Sequence, residues 1–288
     1  MTDSSPLPSP AATQSREPRR FMHRHSATVR MTHWLNALCL SFLLLSGLQI
    51  FNAHPRLYWG KYGADSDAAF IAIDSRQTVS APRGFLQVGP MQLDTTGFLG
   101  VSNENGSNTA RAFPAWLTIP SYHDLGAGRR WHFFFAWLLV LNGLIYLAHG
   151  LWRGHFRRDL LPSKAQLAPR HLWQEILDHA ALRFARGETA RRYNALQKLS
   201  YIAVVFGLLP LMVLTGLTMS PGLDAAFHVL PDSFGGRPSA RTIHFITAFL
   251  LVSFVAVHVA MVIASGLWNN LRSMLTGRYA IAEDGLKK

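Results

Sequence analysis

Four long stretches of the chain are almost continuously apolar, and polar or charged residues separate them. They cover residues 31–51, 131–151, 200–219 and 243–268. Each is close to the roughly 20 apolar residues with which a helix crosses about 30 Å of hydrocarbon. A bilayer admits only helices and closed barrels, and these continuous runs lack the alternation of barrel strands. The pattern therefore predicts an all-α fold, a four-helix bundle integral to a membrane.

The segments between the apolar stretches divide the rest of the chain. Residues 1–25 are rich in Ser and Pro and lack the apolar core of a secretory signal, so we expect a disordered N-terminus. Residues 52–128 form a long loop whose aromatic residues and prolines indicate a partly folded cap at the membrane surface. Residues 152–198 have apolar positions at helical spacing with arginines between them, which predicts an amphipathic interfacial helix. The membrane domain then covers residues 26–272, and residues 273–288 form a tail.

The composition agrees with a membrane protein, because 49% of the residues are hydrophobic and the net charge is nevertheless +12. Basic residues concentrate before the first apolar stretch and between the second and third, whereas acidic residues balance the few bases of the 52–128 loop. Loops rich in Lys and Arg stay in the cytoplasm, so both termini are predicted to be cytoplasmic and the long loop periplasmic. Because the charge is sorted by membrane side, anionic lipid headgroups explain it, and no nucleic-acid partner is expected.

The chain has a single cysteine, Cys39, inside the first apolar stretch. This excludes an intramolecular disulfide, a CxxCH haem attachment and a cysteine-held iron–sulfur cluster. A redox cofactor would therefore have to be held by histidine.

Histidines fall within or at the edges of the predicted helices at His33, His132, His149, His244 and His258. His244 and His258 are fourteen residues apart, a spacing that returns them to nearly one face of a helix, about 21 Å apart along its axis. One helix could thus hold two cofactors, one near each membrane face. With the predicted topology, His132 matches His244 in depth in the outer half, and His33 matches His258 in the inner half.

Two bis-histidine sites without thiolate ligands indicate two b-type haems. The glycines that could give the haem rings room are Gly47, Gly143, Gly207 and Gly216. The candidate partners of the haem propionates are Arg129, Arg130 and Arg241 at the outer site and Arg30 and Lys198 at the inner site. His149 points about 100° away from His132 around the helix. It would be an alternative inner ligand, a neighbour of a quinone pocket or an interfacial residue.

Two segments resemble the signatures of a known family. RMTHWLNALCLSFLLLSG, residues 30–47, and RTIHFITAFLLVSFVAVH, residues 241–258, resemble those of the bacterial cytochrome b561 and nickel–iron hydrogenase b-type cytochrome family. With RRWHFFFAW and YNALQKLSY, the likeness covers all four helices, from residue 24 to residue 272. The resemblance, which extends to formate dehydrogenase γ subunits, implies a multi-pass protein of the bacterial cytoplasmic (inner) membrane. It implies two haem b groups whose iron ligands are His33, His132, His244 and His258.

The resemblance further implies a quinone and a partner enzyme. Phe245 and Phe249 stand where hydrogenase members tend to have a basic residue or histidine and a tryptophan, respectively. The stretch HPRLYWG, residues 54–60, looks like the branch that accompanies periplasmic molybdopterin oxidoreductases of the sulfite-oxidase-like or thiosulfate-reductase types. We therefore expect an electron-transfer subunit between quinone and such a partner, with a nickel–iron hydrogenase as the alternative partner. By analogy, the quinone would bind near the inner haem beside Asn194, Gln197, Lys198 and Tyr201.

Other interpretations stay open. A proton-relay transporter without haem would have broken helices or buried carboxylates, and the four apolar stretches contain no Asp or Glu. A passive membrane anchor would not need histidines matched by depth. A self-sufficient ferric- or superoxide-reducing enzyme of the wider b561 group would need an exposed haem edge.

Overall fold

The computed structural model of the protein describes residues 19–63, 67–104, 106–181, 183, 194–220, 222, 227 and 229–282. Four helices in this part of the chain are long and apolar enough to cross a membrane. We number them spans one to four: Ala27–Phe51, Leu125–Trp152, Ala195–Thr218 and Arg237–Ala264. The four predicted membrane helices are thus confirmed, with starts several residues earlier than predicted. Polar caps start spans one to three before their apolar runs begin, and span four starts after Gly236 without a side-chain cap.

Local sequence fixes where the spans begin. Ser26 and Asp124 precede spans one and two, and each side chain accepts a hydrogen bond from a backbone N–H three residues later, at 3.3 and 2.8 Å. Span four begins after Gly236, which has a φ of 106°. A side chain there would start 2.6 Å from the Lys61 Cα atom, so the position requires glycine on two counts.

Span three is not a uniform α-helix. It consists of helix Ala195–Ile202, a π-helical segment Ala203–Leu208 and helix Leu209–Thr218. A second π-helical segment, Phe156–Leu160, follows span two, and the Phe156 and Phe206 rings of the two segments meet edge to face with centroids 5.2 Å apart. A π-helical turn inserts a residue into the helical repeat and so changes the face that the rest of span three presents.

The described residues between 52 and 124 fold into a β-rich cap, which corrects the all-α prediction. The strands of the protein, in chain order, are β1 (Arg19–His23), β2 (Arg56–Leu57), β3 (Ile71–Gln77), β4 (Pro82–Val88), β5 (Met91–Asp94), β6 (Gly100–Glu104), β7 (Ser107–Arg111) and β8 (Arg278–Ala282). Strands β2 to β5 form an antiparallel sheet in that order, and β6 pairs with β7. Such short strands give a much weaker sequence signal than a 20-residue apolar run.

The core of the cap is shared with the membrane helices. Leu57, Ile73 and Phe113 of the cap form one buried cluster with Leu48 and Phe51 of span one. The strands therefore bury their apolar side against the end of span one, which explains why a short β-structure is stable here.

Arg111 anchors the cap to span one through a buried network. Its Nη2 donates to Gln49 Oε1 at 2.6 Å and to Thr118 Oγ1 at 2.7 Å, and its Nη1 donates to the Ser121 carbonyl at 2.6 Å. Burial lowers the pKa of the Arg111 guanidinium from its ordinary value, although the nearby Glu104 carboxylate opposes this effect. A buried guanidinium needs such partners, because an unpaired buried charge is strongly destabilising.

The two ends of the described chain pair with each other on the side opposite the cap. Strands β1 and β8 are antiparallel, and the Arg24 guanidinium lies 4.6 Å from the Tyr279 ring centroid. The composition of residues 19–23 predicted disorder. These residues instead form β1, because composition carries no information about pairing between distant segments. Residues 1–18 and 283–288 of the predicted N-terminus and tail lie outside the described residues.

Within the segment predicted to be amphipathic, residues 152–198, a helix covers Pro169–Ala180. It exposes Trp173, Ile176 and Leu177, the kind of surface that lies in a membrane interface. Residues 184–193 of the same predicted segment lie outside the described residues, and the interfacial position stays a prediction.

Spans one and two pack along their length, as do parts of spans three and four. Phe42 of span one stacks on Phe135 of span two at 4.1 Å. The Asn142 side-chain amide donates to the Thr32 carbonyl at 2.8 Å and to Asn36 Oδ1 at 2.6 Å. Interhelical hydrogen bonds of this kind fix the register between apolar helices, and they lie within one helical turn of His33.

Candidate cofactor-binding site

His132 and His244 face each other near the cap, and we call them the cap-side pair. His132 lies in the first turns of span two and His244 in the first turns of span four. Their ring centroids are 6.3 Å apart and the ring planes are tilted by 60°. Both residues point into the bundle, between the helices.

His33 and His258 meet at the opposite end of the bundle, and we call them the far-side pair. Their centroids are 6.2 Å apart with an interplanar angle of 56°. The Trp34 indole lies edge-on to His33 at 5.3 Å, and the Phe254 ring stacks on His258 at 5.9 Å. The structure thus brings together the same two pairs that were matched by depth.

The spacing of both pairs fits two imidazoles on opposite sides of one metal ion. A metal–nitrogen bond to histidine is about 2.0–2.1 Å long, and a ring centre lies about 1.1 Å beyond the nitrogen, so two such rings have centres about 6.2–6.4 Å apart. Both measured separations agree with this value. Two imidazole nitrogens in an apolar bundle are a donor set that could hold a haem iron.

Two of the predicted glycines lie directly against the cap-side imidazoles. A Cβ atom added at Gly47 would lie 3.3 Å from His132 Cε1, and one at Gly216 would lie 3.4 Å from His244 Cε1. These glycines therefore give room to the histidine rings. An added Cβ at Gly143 or Gly207 would have no described atom within 4 Å, so neither glycine is required by close packing between described residues.

The predicted propionate partners have different surroundings. Arg241 Nη2 donates to the His54 carbonyl at 2.5 Å, and its guanidinium lies 5.5 Å from the Phe51 ring centroid. Arg129 and Arg130 are exposed at the start of span two. Of these three, Arg241 has the most fixed position beside the cap-side pair, one helical turn before His244.

At the far side, Arg30 Nη1 donates to the Leu275 carbonyl at 2.5 Å, while its buried Nε has no hydrogen-bond partner among the described residues. Lys198 Nζ donates instead to the Leu161 carbonyl at 3.3 Å and to Gln166 Oε1 at 3.2 Å. Arg30 thus retains a donor beside His33, and Lys198 ties span three to the preceding loop.

Asn194 and Gln197, predicted at the quinone site, form the cap of span three. Asn194 Oδ1 accepts from the Gln197 N–H at 2.8 Å, and Gln197 Oε1 accepts from the Asn194 N–H at 3.4 Å. The Glu175 carboxylate accepts hydrogen bonds from the backbone N–H groups of Ala195 and Leu196. Sequence analysis did not foresee this structural role, and a contact with quinone stays a prediction.

His149 is half-buried near the end of span two and has no ring contact with His33 or His258 within the described part of the chain. The structure therefore does not bring His149 to either pair.

His25 lies just before span one. Burial, and then the nearby charge of Arg24, lower the pKa of His25 to about 4. His25 is accordingly neutral at pH 7.

Ser46 and Thr215 are site residues that sequence analysis missed. Each hydroxyl oxygen lies within hydrogen-bond distance of a cap-side imidazole, at 3.1 and 3.0 Å. A signal was present, because LLLSGL at residues 43–48 and MVLTGL at residues 212–217 share one pattern, three apolar residues followed by Ser or Thr, Gly and Leu. It is too short to be recognised as a repeat without the structure.

Four membrane-length helices with two facing pairs of imidazoles define a class of protein, the helical membrane proteins with paired histidines between their spans. The family model of the prokaryotic cytochrome b561 matches residues 24–277. The chain therefore belongs to the prokaryotic cytochrome b561 family and is a multi-pass bacterial membrane protein of electron transfer with haem b. The resemblance noted in the sequence is confirmed.

A similar protein, YedZ1 of Azospira oryzae, is 27% identical over 238 residues, which cover 83% of this chain and 89% of that protein. That protein bears the name "Putative protein-methionine-sulfoxide reductase subunit YedZ1".

Proposed function

We propose that the chain is a dihaem cytochrome b subunit that carries electrons between the membrane quinone pool and a partner oxidoreductase. His132 and His244 are the axial ligands of one haem b, and His33 and His258 are those of the second. The observation that carries this proposal is the presence of two imidazole pairs, each at the spacing of a bis-histidine metal site, at opposite ends of the same helical bundle.

Haem bound at these sites supplies reversible one-electron transfer. The residues of the chain hold and orient the ligands, and the apolar spans exclude water from them. His244 and His258 lie on one helix, about 21 Å apart along its axis. The two haem sites therefore form a path for electrons from one membrane face to the other.

The orientation follows the distribution of charge. The basic segments before span one and between spans two and three support a cytoplasmic position for both termini, with the cap in the periplasm and the protein in the bacterial inner membrane. The far-side pair then lies in the cytoplasmic half, where we place the exchange with quinone.

A periplasmic molybdopterin oxidoreductase is the partner that we propose at the cap. The name of the Azospira oryzae relative, a reductase subunit, supports a reductase partner. Phe245 and Phe249, which depart from the hydrogenase pattern, favour this partner over a nickel–iron hydrogenase.

Haem content and ligand substitutions test the proposal. The purified protein should contain two b haems per chain in a dithionite-reduced minus oxidised spectrum. His244→Ala should lose the cap-side haem and keep the far-side haem, whereas His258→Ala should do the reverse. His149→Ala is the matched control, an intramembrane histidine outside both pairs, and should keep both haems.

Three results would contradict parts of this proposal. Loss of both haems from a folded His244→Ala protein would contradict the pairing. A wild-type protein without haem would contradict the function itself and would favour the proton-relay transporter. If the two haems are present but a reduced quinone analogue added to membranes does not reduce them, the quinone assignment is wrong.

A further inference from the structure

Two buried hydroxyl groups contact the cap-side pair. Ser46 Oγ lies 3.1 Å from His132 Nδ1, and Thr215 Oγ1 lies 3.0 Å from His244 Nδ1. Both hydroxyl residues are fully buried. They occupy the same position in the similar segments LLLSGL of span one and MVLTGL of span three. The two imidazoles are thus held in the same way by two different helices.

The direction of these hydrogen bonds follows from a count of hydrogens. The Ser46 and Thr215 hydroxyls each donate to the backbone carbonyl four residues earlier, at 2.6 Å in both cases. A hydroxyl has one hydrogen, so its oxygen is left to accept from the imidazole, and the imidazole must carry its proton on Nδ1. A neutral imidazole has only one N–H. The Nε2 atoms of His132 and His244 therefore carry the lone pairs that bind a metal.

The far-side pair is held differently. His33 Nδ1 is buried and has no hydrogen-bond partner among the described residues. His33 and His258 are instead positioned by the rings of Trp34 and Phe254. The hydroxyl anchors are therefore a property of the cap-side pair.

We propose that Ser46 and Thr215 are positioning residues of the cap-side haem, which keep His132 and His244 in the Nδ1–H tautomer, fix their ring planes and lower the reduction potential of that haem. This inference rests on the proposed function. A hydrogen bond from Nδ1–H makes the metal-bound nitrogen more basic, and a more basic axial ligand stabilises ferric iron.

The backbone carbonyls of Leu43 and Met212 also lie within hydrogen-bond reach of the His132 and His244 imidazoles. Removal of the hydroxyl oxygen should therefore weaken the hydrogen bonding at Nδ1 without abolishing it, and should raise the potential of the cap-side haem alone.

Paired substitutions in the full-length haem protein test this inference. Ser46→Ala and Thr215→Val remove the hydroxyls, whereas Ser46→Thr and Thr215→Ser keep them. Ser41→Ala is the matched control, because the Ser41 hydroxyl also donates to a carbonyl of span one, at 2.9 Å, and has no histidine contact within the described chain. The readouts are a redox titration of the haem absorbance and the gmax values of the two low-spin ferric haems in electron paramagnetic resonance, which depend on the angle between axial ring planes.

Ser46→Ala and Thr215→Val should each raise one midpoint potential and shift one gmax value, while the second haem stays as in the wild type. Ser46→Thr, Thr215→Ser and Ser41→Ala should behave as the wild type. Loss of one haem from Ser46→Ala that Ser46→Thr restores also supports the inference. Unchanged values, equal shifts of both haems, or haem loss that Ser46→Thr does not restore would overturn it. These results concern only the role of the hydroxyls: if the wild-type protein holds two haems, the proposed function stands whatever the variants show. A wild-type protein without haem would contradict the proposed function itself.

Discussion

At the scale of single residues, the histidines alone do not make the site. Span three contributes no histidine to either pair, yet its Thr215 and Gly216 lie against His244. Span one supplies the equivalent Ser46 and Gly47 against His132. In each case a hydroxyl fixes the ring nitrogen, and the following glycine lets the ring approach the helix.

We expect Gly47→Ala to weaken haem binding at the cap-side site. The added methyl group would lie 3.3 Å from His132 Cε1, and the ring cannot move away without lengthening its hydrogen bond to Ser46. Overpacking of this kind costs about 1–3 kcal/mol. The measurement is the rate of haem loss to an acceptor protein, followed separately for the two haems.

Gly222→Ala is the control for this experiment, since an added Cβ there meets no described atom within 4 Å and Gly222 is not one of the glycines predicted to make room for haem. If Gly222→Ala loses haem as fast as Gly47→Ala, the contact with His132 is not the cause.

At the scale of elements, the structure joins β-strands to membrane helices by polar contacts that only the folded chain brings together. Arg111, at the end of β7, reaches Gln49 of span one and so fixes the cap above the cap-side pair. Asn52, just beyond span one, accepts at its Oδ1 from the Phe113 N–H at 2.7 Å. The cap is therefore a fixed extension of span one.

Arg111→Met should loosen the cap without removing the spans. It leaves the buried acceptors of Gln49 and Thr118, and the Ser121 carbonyl, without their donor, which costs about 2–4 kcal/mol. Faster proteolysis of the cap, with both haems retained, is the expected result. Arg83→Met, which breaks only the exposed ion pair with Asp94, should leave proteolysis unchanged, and similar sensitivity of both variants would contradict the anchoring role of Arg111.

At the scale of the whole molecule, one bundle presents two unlike ends. The β-rich cap covers the end with His132 and His244, and the paired strands β1 and β8 lie at the end with His33 and His258. Each end therefore offers a different surface to a partner, which agrees with a protein that passes electrons between two different molecules.

The proposed orientation predicts which end reacts from outside the cell membrane. In a Cys39→Ser background, Asn108→Cys of the exposed strand β7 should react with a membrane-impermeant maleimide in intact spheroplasts. Gln174→Cys, exposed on the amphipathic helix, should react only after lysis. The reverse pattern would show that the cap is cytoplasmic.

Sequence alone determined the features that depend on local composition and helical period. The four spans follow from uninterrupted apolar runs, because any such run must form its hydrogen bonds internally in a bilayer. The depth matching of His132 with His244 and of His33 with His258 follows from the helical rise and the order of the spans, and the structure brings these residues together. Their role as ligands stays a prediction.

Only the tertiary structure decided the features that depend on contacts between distant segments. The cap strands gain their core from Leu48 and Phe51 of span one, and β1 finds its partner at the other end of the chain. In the sequence, Ser46 and Thr215 look like ordinary residues of a membrane span. Only the packing of the helices places them against His132 and His244. The physical reason is the same in each case: the free energy of these contacts comes from groups that are far apart in sequence, so no local pattern records it.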